Sequence, residues 1–469
     1  MSFVTYTPEL GSGLLPNSQT FTPSGDQQKF LEAFTAFAAA PVSKTPEENM
    51  FMLLGKAGTG KTSILKVLGK SIFNRLRFTA MTHKAAVSLR KAVGGDVSTT
   101  ASALKLLLKT NIYGEKVLVQ NAEVDITKDS ILVIDEISQV SPLYMEHIFN
   151  VAKTAKVLFI GDAKQAPYVN LDNTSATILS PVFDLNIPPA RKISLEQVMR
   201  FGGDISIITD AARATIYRGK FPVTIPPTLK ASKSVVETPV DTFMGTIGAV
   251  LNDFAVGDTT VVCWRNATVE FFNKFIRGKL FPEVTDSLVV GDRLIVTSPL
   301  RSFTKLPEDG SVFEGDVSDI VPIASTDTIV SVQKICHNAG KLFGITYSII
   351  TAIDEFGNLV RLPVPATQQQ RHLWENALIK LKEKLLAAPM NKKKDIAADL
   401  DIFSQLFLSY RYAYALTAHR IQGTTVKSTY VLVDDFLRNR RGAEGRMLLH
   451  VAYTRPTTKL TLVKGLPKL

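Results

Sequence analysis

Gly55-Lys56-Ala57-Gly58-Thr59-Gly60-Lys61-Thr62 meets every demand of a phosphate-binding loop, and it stands between the apolar run Met50-Phe51-Met52-Leu53-Leu54 and the helix-like stretch Ser63 to Leu68. A strand must therefore feed a glycine-rich turn that opens onto a helix, which commits this part of the chain to an α/β fold. The residues Gly55, Gly58, Thr59 and Gly60 allow backbone N–H groups to converge on phosphate with little side chain in the way. Lys61 reaches the β- and γ-phosphates, and the Thr62 hydroxyl can ligate Mg²⁺. The spacing predicts an ATP-type ligand with Mg²⁺.

Around this loop, apolar runs alternate with helix-like stretches from about residue 21 to 187: Met50 to Leu54, Phe78 to Met81, Ile131 to Ile134 and Val157 to Ile160. Short continuous apolar runs predict parallel strands covered on both faces. Asn111 to Gln120, turning at Gly114, reads as a hairpin inserted at about 105–125. The Pro-bearing stretch Asn186 to Ala190 marks a linker into a second α/β unit, expected over 188–279 and 405–469. Its strand candidates are Val261 to Trp264, Thr429 to Val433 and Leu460 to Val463. Between the two parts, over 280–404, short β-rich segments with Gly turns predict a small inserted barrel, followed by the helix Gln368 to Leu386 and a solvated loop at Lys392-Lys393-Lys394. Residues 1–20, rich in Thr, Gly, Ser and Pro, read as an N-terminal arm.

Composition narrows the partners. Among 469 residues, 54 Lys and Arg against 43 Asp and Glu give a net charge of +11, which suits a polyanion. The two cysteines, Cys263 and Cys336, have neither disulfide-framework nor zinc spacing. The first residues lack a basic region followed by an apolar core, and no apolar run is long enough to span a bilayer, so a soluble, unexported protein is expected.

Two further motifs carry chemistry. Ile131-Leu132-Val133-Ile134 ends in Asp135-Glu136, and strand ends of parallel sheets face the ligand crevice, so Asp135 can hold the Mg²⁺ shell while Glu136 deprotonates an attacking water. Phe159-Ile160-Gly161-Asp162 leads to Gln165, whose amide can sense the γ-phosphate or that water.

With these residues in order, the chain resembles superfamily 1B helicases of the Dda, RecD and Pif1-like group, which translocate 5′ to 3′ on single-stranded DNA. The resemblance covers about residues 21 to 465 and is most similar to the bacteriophage Dda-type members. It implies two RecA-like domains, with an SH3-like barrel as the insertion in the second. Phe21 to Gln28 looks like the family's adenine-reading element, with Gln27 the preferred residue and Gln28 the alternative. Thr79 to Ala86 resembles the motif that contacts DNA, implicating Thr82, His83 and Lys84. Ser98 to Ser102 stands where the family often has Thr-Ile-His. Leu195 to Arg200 resembles the motif opening the second domain, whose arginine, Arg200, reaches the γ-phosphate. Tyr412 to Thr425 closely matches the family's long signature, implicating Thr417 and His419 in DNA contact and Gln422 and Gly423 at the nucleotide, with Arg420 where the family has Lys. Leu449 to Arg455 resembles the last motif, making Arg455 a second finger.

The resemblance implies a DNA-stimulated ATPase in which the two domains close on ATP, so Lys61, Asp135, Glu136, Gln165, Arg200 and Arg455 form one catalytic set. It implies single-stranded, duplex and fork DNA as partners, with single-strand-binding or other replication and recombination proteins beside them. Action as a monomer in a bacterial host cytoplasm is expected. Tyr113 or Val119, on the hairpin, are the candidates for separating strands. An RNA translocase, a DNA translocase that displaces bound proteins, and an ATP-switched binding module are the rival readings.

Overall fold

The computed structural model describes residues 23–56, 58–168, 179–197, 203–217, 220–284, 287–298, 300–303, 320–324, 327–355 and 357–467. The first unit carries β1 (Met50–Gly55), β2 (Leu76–Ala80), β3 (Val97–Thr99), the hairpin strands β4 (Leu106–Thr110) and β5 (Lys116–Gln120), then β6 (Ile131–Asp135), β7 (Lys156–Gly161) and β8 (Lys192–Leu195). All but the hairpin form a six-stranded sheet in the order β3-β2-β6-β7-β1-β8. Every pair in it is parallel.

The apolar runs follow from this layering. Phe51 and Leu53 of β1 pack with Phe30 and Phe34 of the helix Gly25–Ala39 on one face, whereas Met50 and Met52 face Ile134, Ile148 and Phe159 on the other. A strand buried on both faces has no polar side to alternate with, and burying each Phe stabilises by roughly 1.5–3 kcal/mol. β8 pairs with β1, Leu53 opposite Ile193, so the first sheet runs past the boundary expected at 187. The helix expected after the phosphate loop is also shorter. Lys61–Ile64 is α-helical and Leu65–Val67 a 3-10 turn. Leu68 then turns extended, its side chain buried in the core, and Gly69 does nothing to favour helix.

The second unit holds β9 (Val235–Pro239), β10 (Thr259–Cys263) and, after the insertion, β18 (Ala415–Thr417), β19 (Val426–Leu432) and β20 (Pro456–Lys464). They form a five-stranded parallel sheet, β18-β10-β19-β20-β9. The insertion supplies β11 (Arg293–Val296), β12 (Leu300–Phe303), β13 (Ile320–Ala324), β14 (Ile329–Leu342), β15 (Ile345–Asp354) and β16 (Leu359–Pro365), and β17 (Tyr410–Tyr412) lies just before β18. A five-stranded antiparallel sheet, β16-β15-β14-β11-β17, closes over Leu294, Val330, Ile350 and Leu362. β12 and β13 pair separately.

Two helices follow β16, Gln368–Ala387 and Met390–Phe403. Lys392 to Lys394 lie in the second, so the solvated loop expected there is an exposed helical turn; Ile396, Ala397 and Leu400 farther along pack on Leu385 and draw the segment into a helix. The inserted hairpin turns at Gly114, where φ is +81° and the Asn111 side chain accepts from the N–H groups of Tyr113 and Glu115. Its turn end is tied to the same helix, because Asp401 accepts from the N–H of Thr110, the last residue of β4, at 2.8 Å and from its hydroxyl. Among the described residues, no helix is long and apolar enough to cross a membrane.

Candidate active site

Parallel register sets the site. Leu54 of β1 lies opposite Gly161 of β7, and Ala80 of β2 lies opposite Asp135 of β6, so the carboxyl ends of neighbouring strands bring the phosphate loop, Asp135 and Asp162 to one edge. In the loop, Gly58 and Gly60 take φ of +83° and +81°. Lys61 Nζ donates to the carbonyls of Gly55 at 2.6 Å and Lys56 at 3.0 Å. Burial lowers its proton affinity against the pull of Asp162, Asp135 and Glu136. Thr62 is half-buried beside it.

Asp135 accepts from the Glu136 N–H at 2.9 Å, and burial raises its carboxyl while that N–H and Lys61 oppose. Glu136 has a left-handed backbone, φ +59°, a strained position for a side chain of this size. Its carboxyl is pushed up to about 7 by burial and by Asp135, with Lys61 and Arg455 pulling the other way. Glu136 Oε2 is buried and makes no hydrogen bond. A carboxylate held ready in this way, next to glycine-cradled phosphate positions, suits a base acting on water. Among the described residues, no three His, Cys, Asp or Glu gather as an all-protein metal cage. Thr62 and Asp135 fit instead a Mg²⁺ completed by phosphate and water oxygens.

The second unit reaches this edge directly. Gln422 Nε2 donates to Gln165 Oε1 at 3.1 Å, and both side chains are buried. Arg455 is in electrostatic reach of Glu136; burial lowers its proton affinity and Glu136 opposes. Its Nε donates to Val451 O at 2.9 Å and to the Thr454 hydroxyl at 3.0 Å. Arg200 lies outside the described residues. Gln27, buried, donates from Nε2 to Thr59 O at 3.1 Å and caps its own helix by accepting from the Ser24 N–H, whereas Gln28 points out to Glu32. Of the two glutamines, the one touching the phosphate loop is Gln27.

The residues expected at DNA follow strand ends: Thr82 and His83 come just after β2, whose Ala80 lies opposite Asp135, and Thr417 and His419 come at and just after the end of β18. Thr82 and Thr417 cap helix starts, their hydroxyls accepting from Ala85 N–H and Arg420 N–H. The Gly423 loop packs against the first of these starts, and Ser88 Oγ donates to Gly423 O at 3.5 Å. His83 and His419 are half-buried, and burial lowers the proton affinity of both. Lys84 differs from expectation: its side chain is 4% exposed and pairs with Glu355 of the inserted sheet at 3.2 Å, so its charge joins two units and does not face solvent. At the hairpin, Tyr113 is 63% exposed and Val119 38%, each open to solvent.

Arg213 carries no motif in the sequence. It lies on the helix Asp204–Ala214 and grips Asp162 with two bonds, 2.6 and 2.8 Å. Burial by itself would raise the Asp162 carboxyl, but Arg213 and the Lys164 N–H hold it below its usual range. The Asp210/Arg213 spacing puts two charges on one helix face, a legible signal; which residues they meet across the cleft is not legible from that spacing.

The chain is 21% identical over 494 residues to an uncharacterized protein of Acanthamoeba polyphaga mimivirus, covering 88% of this chain and 94% of that one. It is similar to the crystal structure of Bacteroides Pif1 bound to ssDNA, at 15% identity and TM-score 0.49, covering 94% of this chain and 92% of that chain. The Pif1 helicase of Candida albicans aligns at 15% identity and TM-score 0.45, with 95% of each chain covered. Residues 38–223, which hold the phosphate loop, Asp135, Glu136, Gln165 and Arg213, match the family model of the AAA domain.

Proposed function

We propose that this chain is an ATP-dependent DNA helicase that moves 5′ to 3′ along single-stranded DNA and separates duplex ahead of it. The observation that carries the reading is the split site: the phosphate loop, Asp135 and Glu136 belong to one parallel sheet, while Gln422 and Arg455 come to the same edge from the other. ATP binds across that edge, with Gln27 at the base and the loop at the phosphates. Lys61 exchanges its two loop carbonyls for β- and γ-phosphate oxygens, and Thr62 with Asp135 holds the Mg²⁺ that neutralises them.

Glu136 takes the proton from the attacking water, Gln165 orients that water, and Arg455 with Arg200 stabilises the charge developing on the transferred phosphoryl group. Fingers of this kind are worth about 10³ to 10⁵ in rate. Closure on ATP and opening after hydrolysis shift the second unit relative to the first. A strand gripped at Thr82, His83, Thr417 and His419 is thereby drawn along in steps. The grip is to backbone and stacked bases and so is independent of sequence. Tyr113 and Val119, exposed on a hairpin braced by Asp401, meet the fork.

Duplexes bearing a 5′ or a 3′ single-stranded tail, incubated with the protein, Mg²⁺ and ATP, test the reading. Unwinding of the 5′-tailed substrate alone is the expected result. Unwinding only from 3′ tails, or of RNA in preference to DNA, would overturn it.

A further inference from the structure

The helix Asp204–Ala214 joins both halves of the proposed site. Its inner face, Ile208 and Ala212, is buried in the second unit's core with Leu448, Leu449 and Ala452 of the helix Gly442–Tyr453, which leads to Arg455. Arg446 on that helix donates from Nε to Ile216 O at 2.8 Å, fastening the end of the first helix to the second. The outer face meets the first unit. Asp210 accepts from Lys56 Nζ of the phosphate loop at 2.9 Å, Tyr217 OH donates to Ala163 O at 3.1 Å, and Arg213 forks onto both oxygens of Asp162.

Asp162 in turn shapes the segment that carries Gln165. Its side chain accepts from the Lys164 N–H at 3.0 Å and its carbonyl from the Gln165 N–H at 3.1 Å. Asp162 is 2% exposed, so the guanidinium is its principal charge partner, and a two-pronged Arg–carboxylate contact fixes orientation as well as distance.

We propose that Arg213 is a positioning residue for hydrolysis: by fixing Asp162 it holds the Asp162–Gln165 turn at the γ-phosphate and links that turn to the helix that leads to Arg455. This rests on the ATPase reading above. The Lys56–Asp210 contact, with Asp210 half exposed, adds little by comparison.

The test is steady-state ATP hydrolysis by Arg213→Ala, Arg213→Lys, Asp162→Asn and the Arg213→Ala/Asp162→Asn double variant of the full chain, with Lys61→Ala as control. Arg213→Ala is expected to lower kcat by about tenfold or more while KM for ATP stays within about threefold, the signature of impaired positioning with ground-state binding intact. Asp162→Asn should match it, and the double variant should be no worse than the poorer single. Arg213→Lys, which keeps the charge without the fork, should recover only part of kcat. Wild-type kcat in Arg213→Ala, or additive losses in the double variant, would overturn the proposal. Should Arg213→Ala not fold, Arg213→Lys decides: lowered kcat at unchanged KM supports the proposal, and wild-type kcat overturns it. A wild-type chain without ATP turnover overturns the ATPase reading itself. Turnover abolished in Lys61→Ala but intact in Arg213→Ala overturns the positioning role alone.

Discussion

Replacing Gly60 by alanine loads the phosphate loop in two separable ways. The residue's φ of +81° lies in the left-handed region, where an L-residue costs about 1–2 kcal/mol. The added Cβ would also sit 2.8 Å from Gln27 Nε2, closer than real contacts allow. Gln27 is 1% exposed and its amide is bonded to Thr59 O, so moving it forfeits a buried hydrogen bond worth about 1 kcal/mol or more. The loop conformation that cradles phosphate is thus penalised by about 3 kcal/mol, which corresponds to roughly 100-fold weaker nucleotide binding.

Titration with a fluorescent ATP analogue measures this directly. Combining Gly60→Ala with Gln27→Ala removes the collision and leaves only the backbone cost. The double-mutant cycle should therefore show a coupling of about 1–2 kcal/mol, independent of whatever Gln27 itself contributes at the adenine. Affinity of Gly60→Ala within threefold of wild type, or a cycle with no coupling, would refute the reasoning.

Other outcomes follow from buried charges. Asp435, fully buried, accepts from the N–H groups of Trp264 and Arg265 at 2.9 and 2.8 Å, from Arg265 Nε at 2.5 Å and from the Thr268 hydroxyl at 2.9 Å. Asp435→Ala strands those donors at the start of the helix Asn266–Leu280, and urea unfolding should show a loss of about 3–5 kcal/mol; less than about 1 kcal/mol would show that the cluster does not hold the second unit. His450 is held down to about 3 by burial and by Arg213 and Arg455, with Asp162 and Asp210 opposing. Its folded value lies below the unfolded value near 6.5, so the unfolded chain binds the extra proton and stability falls as pH drops below about 6.5. Between pH 7 and 5 this one group should cost about 2 kcal/mol, and His450→Gln should flatten the pH dependence of urea unfolding by that amount; an unchanged slope would contradict the burial argument.

How much of this was legible depends on range. Met50 to Leu54 and Ile131 to Ile134 read as covered parallel strands because burial on both faces removes alternation, a purely local signature. Lys61, Thr62, Asp135 and Glu136 stand out as candidates because the chemistry proposed for them needs fixed residue types within a few positions. Long-range choices were not. β8 joining β1 and β17 joining β11 depend on partners far along the chain, and nothing in Lys192 to Leu195 or Tyr410 to Tyr412 names the neighbour. Lys84 and Arg213 show the same limit for charges: a motif lysine became a buried partner of Glu355, and an unremarked helix arginine became the partner of Asp162. Lys392 to Lys394 failed for another reason, since the apolar residues that make that segment a helix lie beyond the charge run.

In the proposed function, hydrolysis is completed by two units that close around ATP when DNA lies across them. Its most direct test is the steady-state rate of ATP hydrolysis with and without single-stranded DNA, for the wild type and for Glu136→Gln. Turnover that rises on adding DNA in the wild type, with Glu136→Gln binding ATP yet hydrolysing it slowly under both conditions, is the expected result. Wild-type turnover that is the same with and without single-stranded DNA would contradict the account.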